Sequence, residues 1–319
     1  MTSPTPTADA VAAAVEEAAR LLGPRASRDV PLAPLTTYRV GGPAALFVRA
    51  RTVDDLLAVA AARRATGLPV LVVGRGSNLL VADTGFPGIA VTVAELADQI
   101  EIDGTHVVAG GGVALPVLAR RTAAAGLTGF EWAVGVPGTI GGAVRMNAGG
   151  HGSDMAACLV EAAVLDLDDP DAGVRRLPVE ALGLRFRGSD LRDHHVVLSA
   201  RLRLAPGDRA TSEATIAEIV RWRREHQPGG QNCGSVFVNP VPGEVSAGSL
   251  VDGLGLRGFR IGTAWVSEKH ANFVQASEGG TAADVRAVIE AVRRRVAEAT
   301  GYRLRSEVKL VGFPDEDAT

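Results

Sequence analysis

Gly135-Val136-Pro137-Gly138-Thr139-Ile140-Gly141-Gly142-Ala143-Val144-Arg145-Met146-Asn147-Ala148-Gly149 sets five glycines and a proline around a single arginine, with almost no side chain large enough to build a core. Glycine is costly in regular structure and useful where backbone must approach another group closely. So many in one run point to main chain laid against a ligand, with backbone N–H groups as anion donors.

A second run, Gly74-Arg75-Gly76-Ser77-Asn78, lies about 60 residues earlier and directly follows the apolar segment Leu71-Val72-Val73. It is not a dinucleotide fingerprint, because position six is Leu79, and Leu79-Leu80-Val81 reads as a strand where that fold needs a helix. Alone, the run also reads as a tight turn in which Ser77 and Asn78 bond the backbone. Two such runs in one chain favour cradles for a large phosphate-bearing cofactor, and hence an enzyme.

The chain has 319 residues, a length that favours two or three domains. Its 46% hydrophobic and 22% charged content is that of a soluble globular protein. A net charge of −3 supplies no basic stripe for nucleic acid. No apolar run reaches membrane-spanning length, and the Thr/Pro/Ala-rich first ten residues lack the basic start and apolar centre of a secretory signal. Cys158 and Cys233 are far apart and outside any CxxC spacing, which suits the cytoplasm. His106, His151, His194, His195, His226 and His270 read as scattered, without HExxH, so no metal centre is expected.

Periodicity gives a helix over Asp9 to Leu22, strands at Ala45 to Val48, Val70 to Val73 and Gly88 to Val93, and a helix from Asp54 to about Arg64. Ile100 to Ile102, His106 to Ala109, Ala163 to Leu167, Val174 to Leu177 and Val196 to Leu204 read as strands, with a helix near Leu115 to Ala125. Pro206-Gly207-Asp208 marks a boundary before a helix over Ser212 to His226. The last helix carries Val285, Val288, Ile289, Val292 and Val296 at helical spacing, with Thr281 and Asp284 at its start and Gly301 at its end. A strand over Val308 to Val311 follows. This mixture is α+β.

Eight segments carry a family resemblance, in order: Thr37-Tyr38-Arg39-Val40-Gly41-Gly42, Val73 to Leu80, Pro137 to Gly149, Arg224-Glu225-His226-Gln227-Pro228, Asn232-Cys233-Gly234-Ser235-Val236-Phe237, Gly258-Phe259-Arg260-Ile261-Gly262, Ser267-Glu268-Lys269-His270-Ala271-Asn272-Phe273, and Ser306 to Gly312. From about residue 34 to 313 the chain resembles the UDP-N-acetylenolpyruvoylglucosamine reductases, flavoenzymes that complete the UDP-N-acetylmuramate precursor of peptidoglycan. The resemblance implies a vanillyl-alcohol-oxidase/PCMH-like FAD-binding domain over 34–205, in subdomains of about 34–94 and 95–205. A C-terminal α+β substrate domain would occupy 206–314, with 1–33 an N-terminal helix and tail. It also implies FAD and NADPH as cofactors, a UDP-sugar substrate, and no nucleic-acid, membrane or obligate protein partner.

The same resemblance assigns Gly74, Arg75, Gly76, Ser77, Asn78, Gly135, Pro137, Gly138, Thr139, Gly142 and Arg145 to the flavin, and Asn239 and Lys269 to the substrate. Neither glycine run holds a histidine or cysteine that could anchor the flavin, so noncovalent FAD is expected. Three residues are implied as catalytic. Ser235, by itself a turn serine entering an apolar strand Val236-Phe237-Val238, would donate a proton to carbon. Glu307, by itself a surface carboxylate among Arg303, Arg305 and Lys309, and Arg187, by itself one surface arginine of many, would stabilise the intermediate.

The chain departs from the family at three places. Phe186 replaces the tyrosine before Arg187, which weakens the choice of Arg187 over Arg185; Val238 and Ser249 stand where lysine is common. Only Gly188 to His195 separates the arginine motif from the next strand, so the shorter type, without the inserted tyrosine loop, is expected. Two other classes compete: an alcohol oxidase of the same superfamily, and an idle nucleotide-sugar binder. The missing covalent anchor disfavours the first, and the joint presence of Arg187, Ser235 and Glu307 the second.

Overall fold

Pro43–Arg49, Val70–Val72 and Phe86–Thr92 form parallel pairs, an arrangement that needs crossover connections, and helix α2 (Val53–Thr66) supplies one. A computed structural model describes residues 7–313 of the chain; the expected N-terminal tail over 1–6 and residue 314 lie outside them. The chain packs as two compact units. One runs to Val30 and continues through Ala44–Gly74 and Phe86–Ile219; the other takes Pro31–Pro43, Arg75–Gly85 and the chain from Val220 on.

The first unit holds two main sheets, of four and five strands, besides two short two-stranded pairs. In the smaller, Ala26–Pro31, Pro43–Arg49, Phe86–Thr92 and Val70–Val72 lie in that order. Helices α1 (Ala8–Leu22) and α2 bury Ala18, Leu22, Leu56, Val59 and Ala60 against Leu46, Val48, Ile89 and Val91. Thr52 and Asp55 form a reciprocal capping box at the start of α2, and Gly67 ends it in the left-handed conformation.

The larger sheet runs Val174–Pro178, Leu159–Asp166, His195–Arg203, His106–Gly110 and Ile100–Asp103, antiparallel throughout. Val107, Ala109, Ala162, Val164, Ala200 and Leu202 share a core with helix α3 (Leu115–Ala124), Phe130 and Trp132.

The run over Gly135 to Gly149, the second in chain order, differs from its expected form. It is not all loop: Ile140–Met146 is a short helix, α4, and Ile140, Ala143 and Val144 are buried. Those three recur at i, i+3, i+4, so the run supplies its own apolar stripe. Thr139 caps it by accepting from the Gly142 N–H at 3.4 Å. Gly141 donates to the Gly111 carbonyl at 2.8 Å, and a Cβ there would lie 3.1 Å from that same oxygen. Close backbone packing therefore accounts for part of the glycine content.

The second unit is built around helix α7 (Ala282–Thr300), after α5 (Arg209–His226), which begins in the first unit, and α6 (Ala247–Gly253). Val285, Val288, Ile289, Val292 and Val296 of α7 are buried against Ala264, Val266, Val274 and Ala276. Full burial of such a side chain stabilises by about 1.5–3 kcal/mol. Ala264–Val266 is the centre of an antiparallel sheet with Arg260–Ile261 and Val274–Ala276. Leu79–Val81 pairs in parallel with Lys309–Val311, more than 200 residues away.

That pairing explains why the units cut the chain differently from the expected 34–205 and 206–314. It draws 75–85, and the Thr37 to Gly42 motif bonded to it through Gly42 N–H and Ala82 carbonyl (2.8 Å), into the C-terminal unit. Pro206-Gly207 marks no seam either, since Ala205–Pro206 pairs with Leu127–Thr128 in the first unit.

The start of α7 also differs in detail. Thr281 accepts from the Asp284 N–H at 3.2 Å as expected, but the Asp284 carboxylate turns to the N–H and hydroxyl of Thr263, at 2.8 and 2.7 Å. Asp83 takes its place, accepting from the N–H groups of Ala282 and Ala283 at 2.8 and 2.9 Å. A carboxylate bonded to two N–H groups at a helix N-terminus is favoured by both charge and dipole. Asp83→Ala is therefore expected to destabilise the second unit by about 2–3 kcal/mol, read as a lowered urea midpoint; an unchanged midpoint would show that the cap contributes nothing.

Candidate functional site

The two glycine runs meet in the first unit. A Cβ on Gly74 would lie 2.7 Å from the Thr139 hydroxyl oxygen, so only glycine lets the first run start against the second. Gly138 gives its carbonyl to the Leu115 N–H at 3.1 Å, and Thr139 gives its own to Ala143 at 2.8 Å. Pro137 and Gly142 are exposed, whereas Gly135 is buried in a 3₁₀ turn over Glu131–Gly135. Arg145, expected at the flavin, places its guanidinium on the Asp193 carboxylate and the Arg192 carbonyl.

The rest of the first loop, Arg75 to Asn78, belongs to the second unit. Gly76 has φ +56, and a Cβ there would lie 2.3 Å from the Leu35 carbonyl oxygen. Its own carbonyl accepts from Thr37 and Leu79, and the Asn78 carbonyl accepts from Lys309 at 2.9 Å. Asn78 also donates its amide to the Glu307 carbonyl at 2.9 Å, so the Arg75 to Asn78 loop and the Glu307 segment are tied together. Ser77 is half-buried and Arg75 exposed.

Arg187 and Arg185 are separated by what they touch. The chain turns tightly between Arg185 and Gly188, which exchange two backbone hydrogen bonds of 3.0 and 3.1 Å. Arg185 is spent on the turn: it donates to Asp190, the Ser189 carbonyl and the Gly183 carbonyl. Arg187 donates to the Gly149 carbonyl at 3.1 Å, at the end of the second glycine run, with its guanidinium carbon 4.8 Å from the Phe186 ring centre. Its φ is +55, a conformation uncommon for any residue with a side chain.

Ser235 and Glu307 lie on neighbouring segments of the second unit. The expected strand Val236-Phe237-Val238 is instead an extended stretch with one bridge, Phe237 to Ser306. It lacks a regular ladder because the amide of Asn272 replaces one partner, bonding the Phe237 N–H and carbonyl at 2.9 and 2.8 Å. The Glu307 N–H donates to the Val236 carbonyl at 2.7 Å, and Val238 donates to the Arg305 carbonyl at 2.9 Å. Glu307 and Ser235 are both half-buried. Asn239 accepts from the Ala247 N–H at 3.0 Å, and Lys269 is exposed, its ammonium on the Arg224 carbonyl. Val238 is buried, and Ser249 turns its hydroxyl to the Ser246 carbonyl at 2.7 Å.

The Cys233 thiol, next to this segment, is pushed up to about 12 by burial and donates to the Leu79 carbonyl; Cys158 is likewise pushed up to about 12. Neither is thiolate near neutral pH, so both are packing residues.

The histidines are not all scattered. His194 and His195 lie with ring centres 4.4 Å apart, and with Asp166 they bring ligand-capable atoms within 4.8 Å of one another. The Arg192 N–H donates to His195 Nδ1 at 2.9 Å, which leaves that ring's proton on Nε2, 3.5 Å from Asp166. Burial holds the His195 imidazole below its ordinary pKa. Arg175 lies 3.6 Å from Asp166, and Arg63 lies 2.5 Å from Asp168. With the Nε2 lone pair protonated and guanidinium groups already present, the group is an ion-pair cluster.

A family model described as the UDP-N-acetylenolpyruvoylglucosamine reductase C-terminal domain matches residues 226–311, and one described as an FAD binding domain matches 44–169. A UDP-N-acetylenolpyruvoylglucosamine reductase of Heliobacterium modesticaldum is 43% identical over 284 residues, 88% of this chain and 89% of its own. One of Rubrobacter xylanophilus is 41% identical over 295 residues, covering 92% and 97%. The crystal structure of the Thermus caldophilus reductase superposes with a TM-score of 0.76 at 35% identity, over 90% of this chain and 99% of that one. Its α+β fold with an FAD-binding domain is therefore the expected one, and the chain belongs to the UDP-N-acetylenolpyruvoylglucosamine reductase family, FAD-dependent oxidoreductases of peptidoglycan synthesis.

Proposed function

We propose that this chain reduces the enolpyruvyl ether of UDP-N-acetylglucosamine to UDP-N-acetylmuramate, with Ser235 as proton donor and Arg187 and Glu307 as stabilisers of the intermediate. The observation that carries the residue assignment is the bond from the Glu307 N–H to the Val236 carbonyl, which seats the expected donor and the expected carboxyl on neighbouring segments.

The residues at the glycine runs fit a diphosphate-bearing flavin. Gly74 and Thr139 pack without an intervening side chain, and the carbonyls of Gly76, Asn78, Gly138 and Thr139 are bonded within the protein, which suits a surface for anions. Gly74, Arg75, Gly76, Ser77, Asn78, Gly135, Pro137, Gly138, Thr139, Gly142 and Arg145 would hold it without a covalent bond. Bound there, FAD reduced by NADPH would supply a hydride for the terminal alkene carbon.

Negative charge then spreads over the ether-bearing carbon and its carboxylate. Arg187 meets it with paired donors and full charge, and Glu307, when protonated, with a hydrogen bond. A serine hydroxyl is too weak an acid for most acceptors but suffices for so basic a carbon, so Ser235 delivers the proton there. Asn239 and Lys269 bind the substrate. The flavin is assigned chiefly to the unit that holds Ala44–Gly74 and Phe86–Ile219, and the substrate chiefly to the unit that takes Pro31–Pro43, Arg75–Gly85 and the chain from Val220 on. Among the described residues no helix is long and apolar enough to cross a membrane; both cysteines are free, which supports a reducing, cytoplasmic setting.

The test is spectroscopic. Purified protein is expected to be yellow, to bleach with anaerobic NADPH, and to regain its colour on addition of the enolpyruvyl substrate. Colourless protein, or flavin that is bleached by simple alcohols and reoxidised by oxygen with no requirement for NADPH or the alkene, would reject the proposal.

A further inference from the structure

Asn272 is buried to 5% exposure, yet sequence reasoning gave it no role beyond a family motif. Its side-chain oxygen accepts from the Phe237 N–H at 2.9 Å, and its side-chain nitrogen donates to the Phe237 carbonyl at 2.8 Å. Its backbone carbonyl accepts from the Val236 N–H at 2.8 Å. Three bonds from one residue thus fix the two positions that follow Ser235. On the other side of the same stretch, Glu307 and Arg305 make the backbone bonds to Val236 and Val238. The chain leaving Ser235 is held from both sides, and one side is a side chain.

Asn272 also belongs to the turn that carries Lys269. Ser267 accepts from the N–H groups of Lys269 and His270, at 3.1 and 3.4 Å, and donates its own N–H to the Phe273 carbonyl at 2.8 Å. The Asn272 N–H donates to His270 Nδ1 at 3.2 Å. A buried amide with both ends satisfied resists displacement, because moving it leaves unpaired polar groups in the core. A small displacement of a reacting group can cost about 10²-fold in rate.

We propose that Asn272 is a positioning residue for proton delivery: its amide clamp on Phe237 fixes where the Ser235 hydroxyl points, and couples that direction to the Lys269 turn. This rests on the reading of Ser235 as the proton donor.

The experiment uses the full-length holoenzyme with Asn272→Asp, which keeps the shape and the acceptor but sets a carboxylate oxygen against the Phe237 carbonyl. Asn272→Ser, which shortens the clamp, is the second variant. Flavin bleaching by NADPH is expected to stay within about twofold of the parent, whereas reoxidation by the alkene slows by about 10-fold or more with a smaller change in KM. Proton NMR of the product is expected to show epimer at the ether carbon, because a misdirected donor lets solvent compete at the other face. In a Ser235→Ala background, adding Asn272→Asp is expected to slow reoxidation less than about twofold further, since the two residues act as one unit.

Equal slowing of both half-reactions, fully multiplying losses in the double variant, or loss of flavin from both Asn272 variants would overturn the proposal. Normal reoxidation in Ser235→Ala alone would instead remove the reading of Ser235, and is seen without any Asn272 variant.

Discussion

Ser235→Ala is expected to keep its flavin and its bleaching by NADPH while losing about 10²–10³-fold in alkene reduction, the usual consequence of removing one group that acts only in the transition state. The two half-reactions separate because the hydroxyl has no task until negative charge has formed on carbon. Its surroundings give the substitution little else to disturb. Val236 is fixed through its N–H to Asn272 and its carbonyl to Glu307, and Gly234 through its N–H to the Asn232 side chain at 3.0 Å. None of these bonds uses the Ser235 side chain. Anaerobic stopped-flow absorbance reads the two steps one after the other. If bleaching and reoxidation slowed in parallel, Ser235 would be a binding or folding residue and another group would carry the proton.

The sequence was most legible where one physical signal acted alone. The apolar stripe of α7, from Val285 to Val296, gave the helix its extent, and Gly301 closes it in the left-handed conformation. Alternation and apolar runs placed the strands at 86–92, 106–110 and 195–203 to within a few residues. Reading failed where two signals overlapped. Seven residues of the second glycine run are helical because Ile140, Ala143 and Val144 outweigh Gly141 and Gly142 once a partner backbone lies close enough to need glycine. The units could not be cut from local composition, since the parallel pairing of 79–81 with 309–311 joins segments that share no local pattern.

At the candidate site the residue types were legible but their bonds were not. Nothing local in Asn78, Asp83 or Asn272 announces that each spends its side chain on backbone about 35 to 230 residues away. Long-range side-chain-to-backbone bonds leave no period in the sequence. The preference for Arg187 over Arg185, weakened by Phe186, gains support from the three carbonyl and carboxylate partners that occupy Arg185.

Arg187→Gly is expected to move activity and stability by very different amounts. Its φ of +55 costs an arginine about 1 kcal/mol or more, and glycine adopts that conformation freely. Against that gain stand the bond to the Gly149 carbonyl and the contact with the Phe186 ring, each about 0.5–1.5 kcal/mol. The unfolding free energy should therefore fall by no more than about 2 kcal/mol. Alkene reduction, by contrast, should fall by about 10²–10³-fold, because the substrate carboxylate loses a fixed cation with paired donors as its charge grows. Added guanidinium should restore part of the rate at low millimolar concentration while leaving Ser235→Ala unaffected. A residue retained only for packing would show the reverse, a lowered melting temperature with turnover preserved, and that pattern would remove Arg187 from the chemistry.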